Sequence, residues 1–219
     1  MPEAASLLRH RPSHGWLLLA GSWQALAGRL GVIETLIAHE HVSDLDLIAV
    51  RGDEVEEHFS RLQFELEELT GIVARTTSFE AFWKPQAVSG VPYRTIILLE
   101  STSDNVTPLP EPAGLFSPRY NDAIVLAAGA SADAVGEWKT SADGDPRPGL
   151  NLLSSALVMS ETRDVARARQ AADLLQTARV DYLLALPANA VIQLGPEGAV
   201  RVDGDPPPKI TLSGAWKQR

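Results

Sequence analysis

The chain contains no cysteine. That absence removes disulfides, thiolate metal centres and cysteine nucleophiles together, and leaves the compartment to be argued from other segments. Histidine is scarce: there are five, and none follows His58. A nucleophile–acid–histidine order late in the chain is thereby excluded, and no Gly-x-Ser-x-Gly turn is present to carry such a serine. Gly-x-Gly-x-x-Gly and Gly-x-x-x-x-Gly-Lys-[Ser/Thr] are also missing, so neither glycine-rich phosphate-loop fingerprint applies. Apolar runs are short. Trp16 to Ala20 falls far below the roughly twenty apolar residues that span a bilayer. Residues 1–14 carry Glu3, Arg9, Arg11 and two prolines in place of the apolar core of a signal peptide. Positive charge is in deficit, with a formal net charge of −9. General nucleic-acid binders neutralise phosphates with a basic patch, so no nucleic-acid partner is expected, and no membrane partner either. The segment 1–14 reads as a flexible N-terminal tail on a soluble, cytoplasmic protein.

What is present describes an ordinary folded domain. Of 219 residues, 45% are hydrophobic and 21% charged, which excludes a disordered chain and provides for a substantial core. Residues 15–219 read as a single α/β domain. The proline loop 105–118, with Pro108, Pro110, Pro112 and Pro118, is a candidate hinge.

Short continuous apolar segments alternate with helical patterns. Gly15 to Ala20 reads as a strand buried on both faces, closed by Gly21. Ser22 stands where a helix N-cap belongs, and Trp23, Leu26, Leu30, Ile33 and Ile37 trace one helical face. Asp44 to Val50 is the next strand. A helix follows, with Asp53 and Glu56 as a capping box, Val55, Phe59, Leu62, Leu66 and Leu69 as its buried stripe, and Gly71 at its end. Ile72 to Phe82, Tyr93 to Glu100, Asp122 to Ala128, Leu150 to Met159 and Val180 to Leu186 read as strands, and Lys139 to Gly149 as a surface loop. Thr162 to Ala178 reads as a helix with Val165, Ala168, Ala172 and Leu175 on its buried side. Val191 to Leu194, Ala199 to Asp203 and Lys209 to Ser213 are short, hairpin-like strands. Strand–helix–strand units of this length favour parallel pairing. The expected fold is a Rossmann-like, open, mostly parallel sheet with helices on both faces and short antiparallel strands at the C-terminus.

Ligands of such sheets bind outside the carboxyl ends of the strands. The crest so defined comprises Gly21 and Ser22, Arg51 and Asp53, Ser101, Thr102 and Asp104, and Ser131. Small and hydroxyl-bearing residues at helix starts suit a phosphate or carboxylate, and the same residue types also serve as ordinary caps and turns.

Gly21-Ser22, followed downstream by Ser43-Asp44-Leu45-Asp46, resembles the nucleotidyltransferase superfamily that includes polymerase β and the aminoglycoside adenylyltransferases. The resemblance implies that Gly21 and Ser22 cradle phosphate and that Asp44 and Asp46 hold Mg²⁺ against a triphosphate. It also implies a third carboxylate, for which Glu80 and Glu100 are the candidates. An i, i+2 pair on a strand does project to one face, as two metal ligands require.

Other features carry less chemistry. His39 and His41 flank Glu40, but residues two apart on a helix do not share a face, and the pair fits a solvated helix end. Trp16, Trp23, Trp83, Trp138 and Trp216 fit strand-end packing, with Trp83 and Trp216 as candidate interface residues. Three functions follow in order: binding of a small anionic ligand or nucleotide at the crest, a Mg²⁺-dependent nucleotidyltransferase using Asp44 and Asp46, and a protein-interaction or assembly module, self-association included.

Overall fold

The computed structural model describes residues 8, 15–32, 35, 44–50, 55–78, 93–99, 124–141, 145–160, 165–177 and 179–214, with backbone alone for 44–50, 55–59, 74–78, 93–99 and 197. Strand β1 (Trp16–Ala20) shows why its sequence lacks polar alternation. Leu17 and Leu19 face one buried layer and Leu18 and Ala20 another, so every position must be apolar. Strand β5 (Ile124–Ala128) is built in the same way and pairs with β1 in parallel, from Trp16 opposite Ile124 to Ala20 opposite Ala128.

Between them in sequence come α1 (Trp23–Ala27), β2 (Asp44–Val50), α2 (Val55–Thr70), β3 (Ala74–Ser78) and β4 (Tyr93–Leu99). Ser22 caps α1 as its sequence implied, its hydroxyl accepting the Ala25 N–H at 3.2 Å. Gly71, at φ 67°, closes α2 with its N–H on the Glu67 carbonyl. The latter half contributes α3 (Ala130–Asp133), β6 (Gly136–Lys139), β7 (Arg147–Pro148), β8 (Leu153–Ser160), α4 (Val165–Gln176), β9 (Tyr182–Leu186), β10 (Val191–Leu194), β11 (Val200–Asp203) and β12 (Lys209–Leu212).

These strands form two sheets. The first runs β11-β10-β1-β5-β4-β2-β3, parallel from β1 to β3 and antiparallel at β10 and β11. The second runs β12-β9-β8-β6-β7, parallel through β9, β8 and β6 and antiparallel at both edges. They pack face to face: Leu17, Leu19, Val125, Ala127, Ile192 and Leu194 of the first meet Ala156, Val158, Tyr182, Leu184 and Leu186 of the second. The outer face of the first sheet is covered by Leu26 and Leu30 after β1 and by Leu62 and Leu66 of α2. The outer face of the second is covered by Ala171 and Leu174 of α4. The layers are therefore helix, sheet, sheet, helix.

The α/β class holds, while the architecture corrects the expected single open sheet. Both sheets are mixed, and α2 and α4 cover their outer faces, because the apolar inner faces of β1, β5 and β10 and of β8 and β9 cover each other. Within residues 139–149, β7 pairs with β6, and Thr140 and Ser141 are buried, so this segment is not simply a surface loop. In α2, Leu62 and Leu66 are buried but Leu69 is 41% exposed, beyond the edge of the layer it was expected to join. In α4 the buried positions are Gln170, Ala171 and Leu174, whereas Val165 is 72% exposed. Leu8, inside the expected tail, is 3% exposed in the core between the sheets, so at that position the chain is anchored. The candidate hinge 105–118 lies outside the described residues. No helix among the described residues is long and apolar enough to cross a membrane.

Candidate functional site

Strand order places one pair of diverging connections in the parallel part of the first sheet. β2 and β4 are neighbours, with Val50 opposite Leu99 at their carboxyl ends. From β2 the chain proceeds through α2 to β3 on one side, and from β4 it proceeds to β5 on the other. In doubly wound sheets, connections that diverge from adjacent parallel strands mark the place where ligands bind. Residues 51–53 and 100–104 follow these two ends directly in sequence. Arg51, Asp53, Ser101, Thr102 and Asp104, five of the eight crest residues expected to touch a ligand, lie outside the described residues.

The carboxyl ends of β1 and β5 are occupied differently. Gly21 donates its N–H to the Ala190 carbonyl at 2.9 Å, and a Cβ at Gly21 would stand 1.8 Å from the Pro187 carbonyl oxygen. The Ser22 hydroxyl donates to the Ala188 carbonyl at 2.7 Å while capping α1. The glycine is therefore needed for the close approach of the turn between β9 and β10, and that turn sits where the resemblance would place phosphate. Ser131 is buried within α3 and does not open onto the crest. Gly129 holds the left-handed conformation, φ 57°, that turns the chain sharply from β5 into α3.

Register also separates the two halves of the Gly-Ser/Asp-x-Asp resemblance. Asp46 is opposite Thr95, Ile96 is opposite Ile124, and Ile124 is opposite Trp16. Asp44 and Asp46 therefore lie at the amino end of β2, whereas Gly21 and Ser22 follow the carboxyl end of β1. At about 3.3 Å per residue the levels of Asp46 and Gly21 differ by about 20 Å along the strands, with β5 and β4 between them. The structure does not bring these residues together. Among the described residues, no group of three or more His, Asp or Glu side chains is placed to hold a metal ion. Glu80 and Glu100, like His39 and His41, lie outside the described residues.

A polar cluster that the sequence pattern did not reveal stands at the carboxyl ends of β6 and β8. Asp133 ends α3 and is almost fully buried. Its Oδ1 accepts the Ser160 N–H at 2.5 Å, and its Oδ2 pairs with the Arg167 guanidinium, which extends from α4. Arg167 Nε donates to Thr140 Oγ1 at 2.9 Å. One turn along α4, the Gln170 amide accepts the Ser141 N–H at 3.0 Å and donates to the Ser141 carbonyl at 2.7 Å. Burial pushes the Asp133 carboxyl above its ordinary value, opposed by the Arg167 charge and the Ser160 N–H. Every member named here is bonded to another, so the cluster fastens α3 and α4 to the ends of β6 and β8. The i, i+3 pair Arg167 and Gln170, on the same face as Ala171 and Leu174, was the available signal. A hydrophobic reading passes over it because both side chains are polar.

Of the tryptophans, Trp16 and Trp23 pack against the helix layer of the first sheet and Trp138 against α4, where Arg179 lies 5.5 Å from its ring centroid. Trp83 and Trp216 lie outside the described residues. Compared with protein-family models and with curated proteins, the sequence matches none.

Proposed function

We propose that the chain binds a small anionic ligand, with nucleotides among the candidates, at the carboxyl ends of β2 and β4. The observation that carries this reading is the diverging connectivity of these two neighbouring parallel strands, the geometry at which doubly wound sheets hold their ligands. In this respect the five parallel strands work as a Rossmann-like unit, although the rest of the fold does not follow that pattern. Residue chemistry supports the reading. Arg51 supplies a fixed cation, Ser101 and Thr102 supply hydroxyl donors, and Asp53 and Asp104 suit ribose hydroxyls or turn caps. The carboxyl end of β1, already filled by the turn at Pro187 and Ala188, is left to structure.

The test is a thermal-shift screen of the full chain against inorganic phosphate and nucleoside mono-, di- and triphosphates, with and without Mg²⁺. A ligand at about a hundred times its dissociation constant adds about 2.7 kcal/mol of stability. The expected result is a Mg²⁺-independent shift that Arg51→Ala or the double variant Ser101→Ala/Thr102→Ala abolishes. The absence of any shift, or one that Arg51→Ala leaves unchanged, overturns the reading. A shift that requires both triphosphate and Mg²⁺, and is lost in Asp46→Asn, moves the function to nucleotidyl transfer.

A further inference from the structure

We infer that β11 is a homotypic docking edge, through which two copies of this chain pair antiparallel with Val202 opposite Val202 of the partner. Among the described residues β11 ends the first sheet, bonded to β10 on one side only. The direction of its backbone groups follows from the register. Gly195 and Ala199 continue the β10–β11 pairing, and the Gly195 N–H donates to the Ala199 carbonyl. Hydrogen-bonded pairs alternate with non-bonded ones in an antiparallel ladder, so Arg201 and Asp203 turn their backbone groups toward β10. Val200 and Val202 turn theirs outward. On the far side of β10, the Gly21–Ala190 bond gives the same alternation independently.

The side chains divide along the same strand. Val200 and Val202 stand opposite Leu194 and Ile192, on the face that forms the core between the sheets, yet Val202 is 47% exposed. The apolar layer therefore runs out to the sheet edge and remains uncovered there. Arg201 and Asp203 lie on the opposite face, where the Asp203 carboxylate accepts from Arg29 Nε at 2.6 Å.

Two registers let outward-facing backbone groups meet across a twofold axis while pairing three of the four β11 residues with the partner's β11. Centring on Arg201 would place two guanidinium groups directly opposite each other, and like charges there are destabilising. Centring on Val202 instead places Arg201 opposite the partner's Asp203, and Asp203 opposite the partner's Arg201. It also forms a reciprocal pair of backbone hydrogen bonds at Val202 and sets the two Val202 side chains side by side. On each side the charges then run Arg29, Asp203, the partner's Arg201. The charge pattern Arg201–Val202–Asp203 is thus complementary to itself in one register, and the apolar layer becomes continuous through both copies. This identifies a second copy as the occupant, an isologous pairing that closes as a dimer.

The experiment is sedimentation velocity of the full chain across a micromolar concentration series. The wild type is expected to dimerise, more weakly as salt is raised, because the cross-strand ion pairs are exposed. Val202→Pro removes an N–H that the ladder to β10 does not use, so the fold is retained. It is expected to weaken dimerisation about tenfold or more, as is Val202→Lys, with circular dichroism unchanged. Arg201→Asp and Asp203→Arg are each expected to be monomeric alone and to form a heterodimer when mixed. A wild type that stays monomeric throughout overturns the proposal. So does a dimer indifferent to both Val202 variants, and so does a mixture of the two charge variants that fails to pair.

Discussion

Asp133 and Arg167, 34 residues apart in sequence, form an ion pair that joins the short helix after β5 to the first turn of α4. The pair is asymmetric in its exposure: the Asp133 side chain is almost wholly buried, while part of the guanidinium reaches solvent. The carboxylate also holds the Ser160 N–H, so one buried charge connects three elements.

Removing the cation leaves that charge without its partner. Arg167→Met is expected to destabilise the protein by about 3 kcal/mol near neutral pH. The sign of the pH dependence follows from the raised carboxyl value of Asp133. Between its unfolded and folded values the folded state holds the proton more tightly, so this group's contribution to stability falls as pH rises through the interval. In Arg167→Met the opposing pull of the guanidinium is lost and the Asp133 carboxyl rises further. The penalty of the variant should therefore be largest at neutral pH and shrink toward acid as the carboxyl protonates. Urea unfolding of wild type and variant at neutral and mildly acidic pH measures this. A pH-independent difference would mean that the carboxylate is not the stressed group.

The two doubly buried strands and the Ser22 cap were legible because each is written in consecutive residues: WLLLA, IVLAA, and a serine just ahead of its helix. The pairing of two sheets was not. β8 and β9 are apolar enough to be strands in either sheet, and the partners that β1 takes instead, β5 and β10, lie more than a hundred residues away in the chain. For the same reason the crest residues could be named but not sorted. Only register shows that Gly21 and Ser22 are covered by the β9–β10 turn while 51–53 and 100–104 follow the ends of adjacent strands. The α4 stripe failed at specific positions: Val165 and Ala172 look like core residues, yet the helix buries Gln170 and draws Arg167 inward, because α3 presents the Asp133 carboxylate and the chain after β6 presents the Ser141 peptide group.

Gln170 acts as a peptide substitute for Ser141, answering both its N–H and its carbonyl. Gln170→Ala takes the Gln170 amide away from two buried backbone groups, and a buried group that loses its hydrogen bond costs about 1–3 kcal/mol. The variant is expected to lose at least about 2 kcal/mol, with faster amide exchange at Ser141 by NMR. Gln170→Glu should be worse near neutral pH than in acid, because an ionised carboxylate has no hydrogen to donate to the Ser141 carbonyl. A Gln170→Glu variant as stable as wild type at neutral pH would show that the donated bond contributes nothing.

Tyr182 presents the opposite case. Its ring fills the core between the sheets, yet its hydroxyl is buried with no hydrogen-bond partner among the described residues. Burial raises the phenol above its ordinary value, so it stays neutral well into alkaline pH. Tyr182→Phe keeps the ring and removes a desolvated hydroxyl, so it is expected to be neutral or stabilising by up to about 1 kcal/mol. Denaturant midpoints decide the matter. A clear loss of stability would reveal a bonded partner for that hydroxyl.

Two glycines on either side of α1 should respond with opposite signs. Gly21 has the Pro187 carbonyl oxygen 1.8 Å from where a Cβ would lie, with the Pro187 and Ala188 backbone behind it. Backbone cannot rotate aside as a side chain can, so Gly21→Ala must displace the turn between β9 and β10 and break the Gly21–Ala190 bond. The expected loss is about 1–3 kcal/mol, the usual range for overpacking. Gly31 lies in a helical stretch with nothing within 4 Å of a built Cβ. Gly31→Ala is expected to stabilise by about 0.5–1 kcal/mol, because alanine has less backbone freedom to lose on folding. Thermal melts of the two variants beside wild type give the comparison. If Gly21→Ala melts at the wild-type temperature, the β9–β10 turn yields without penalty, and the carboxyl end of β1 regains the room for a ligand that the present contact denies it.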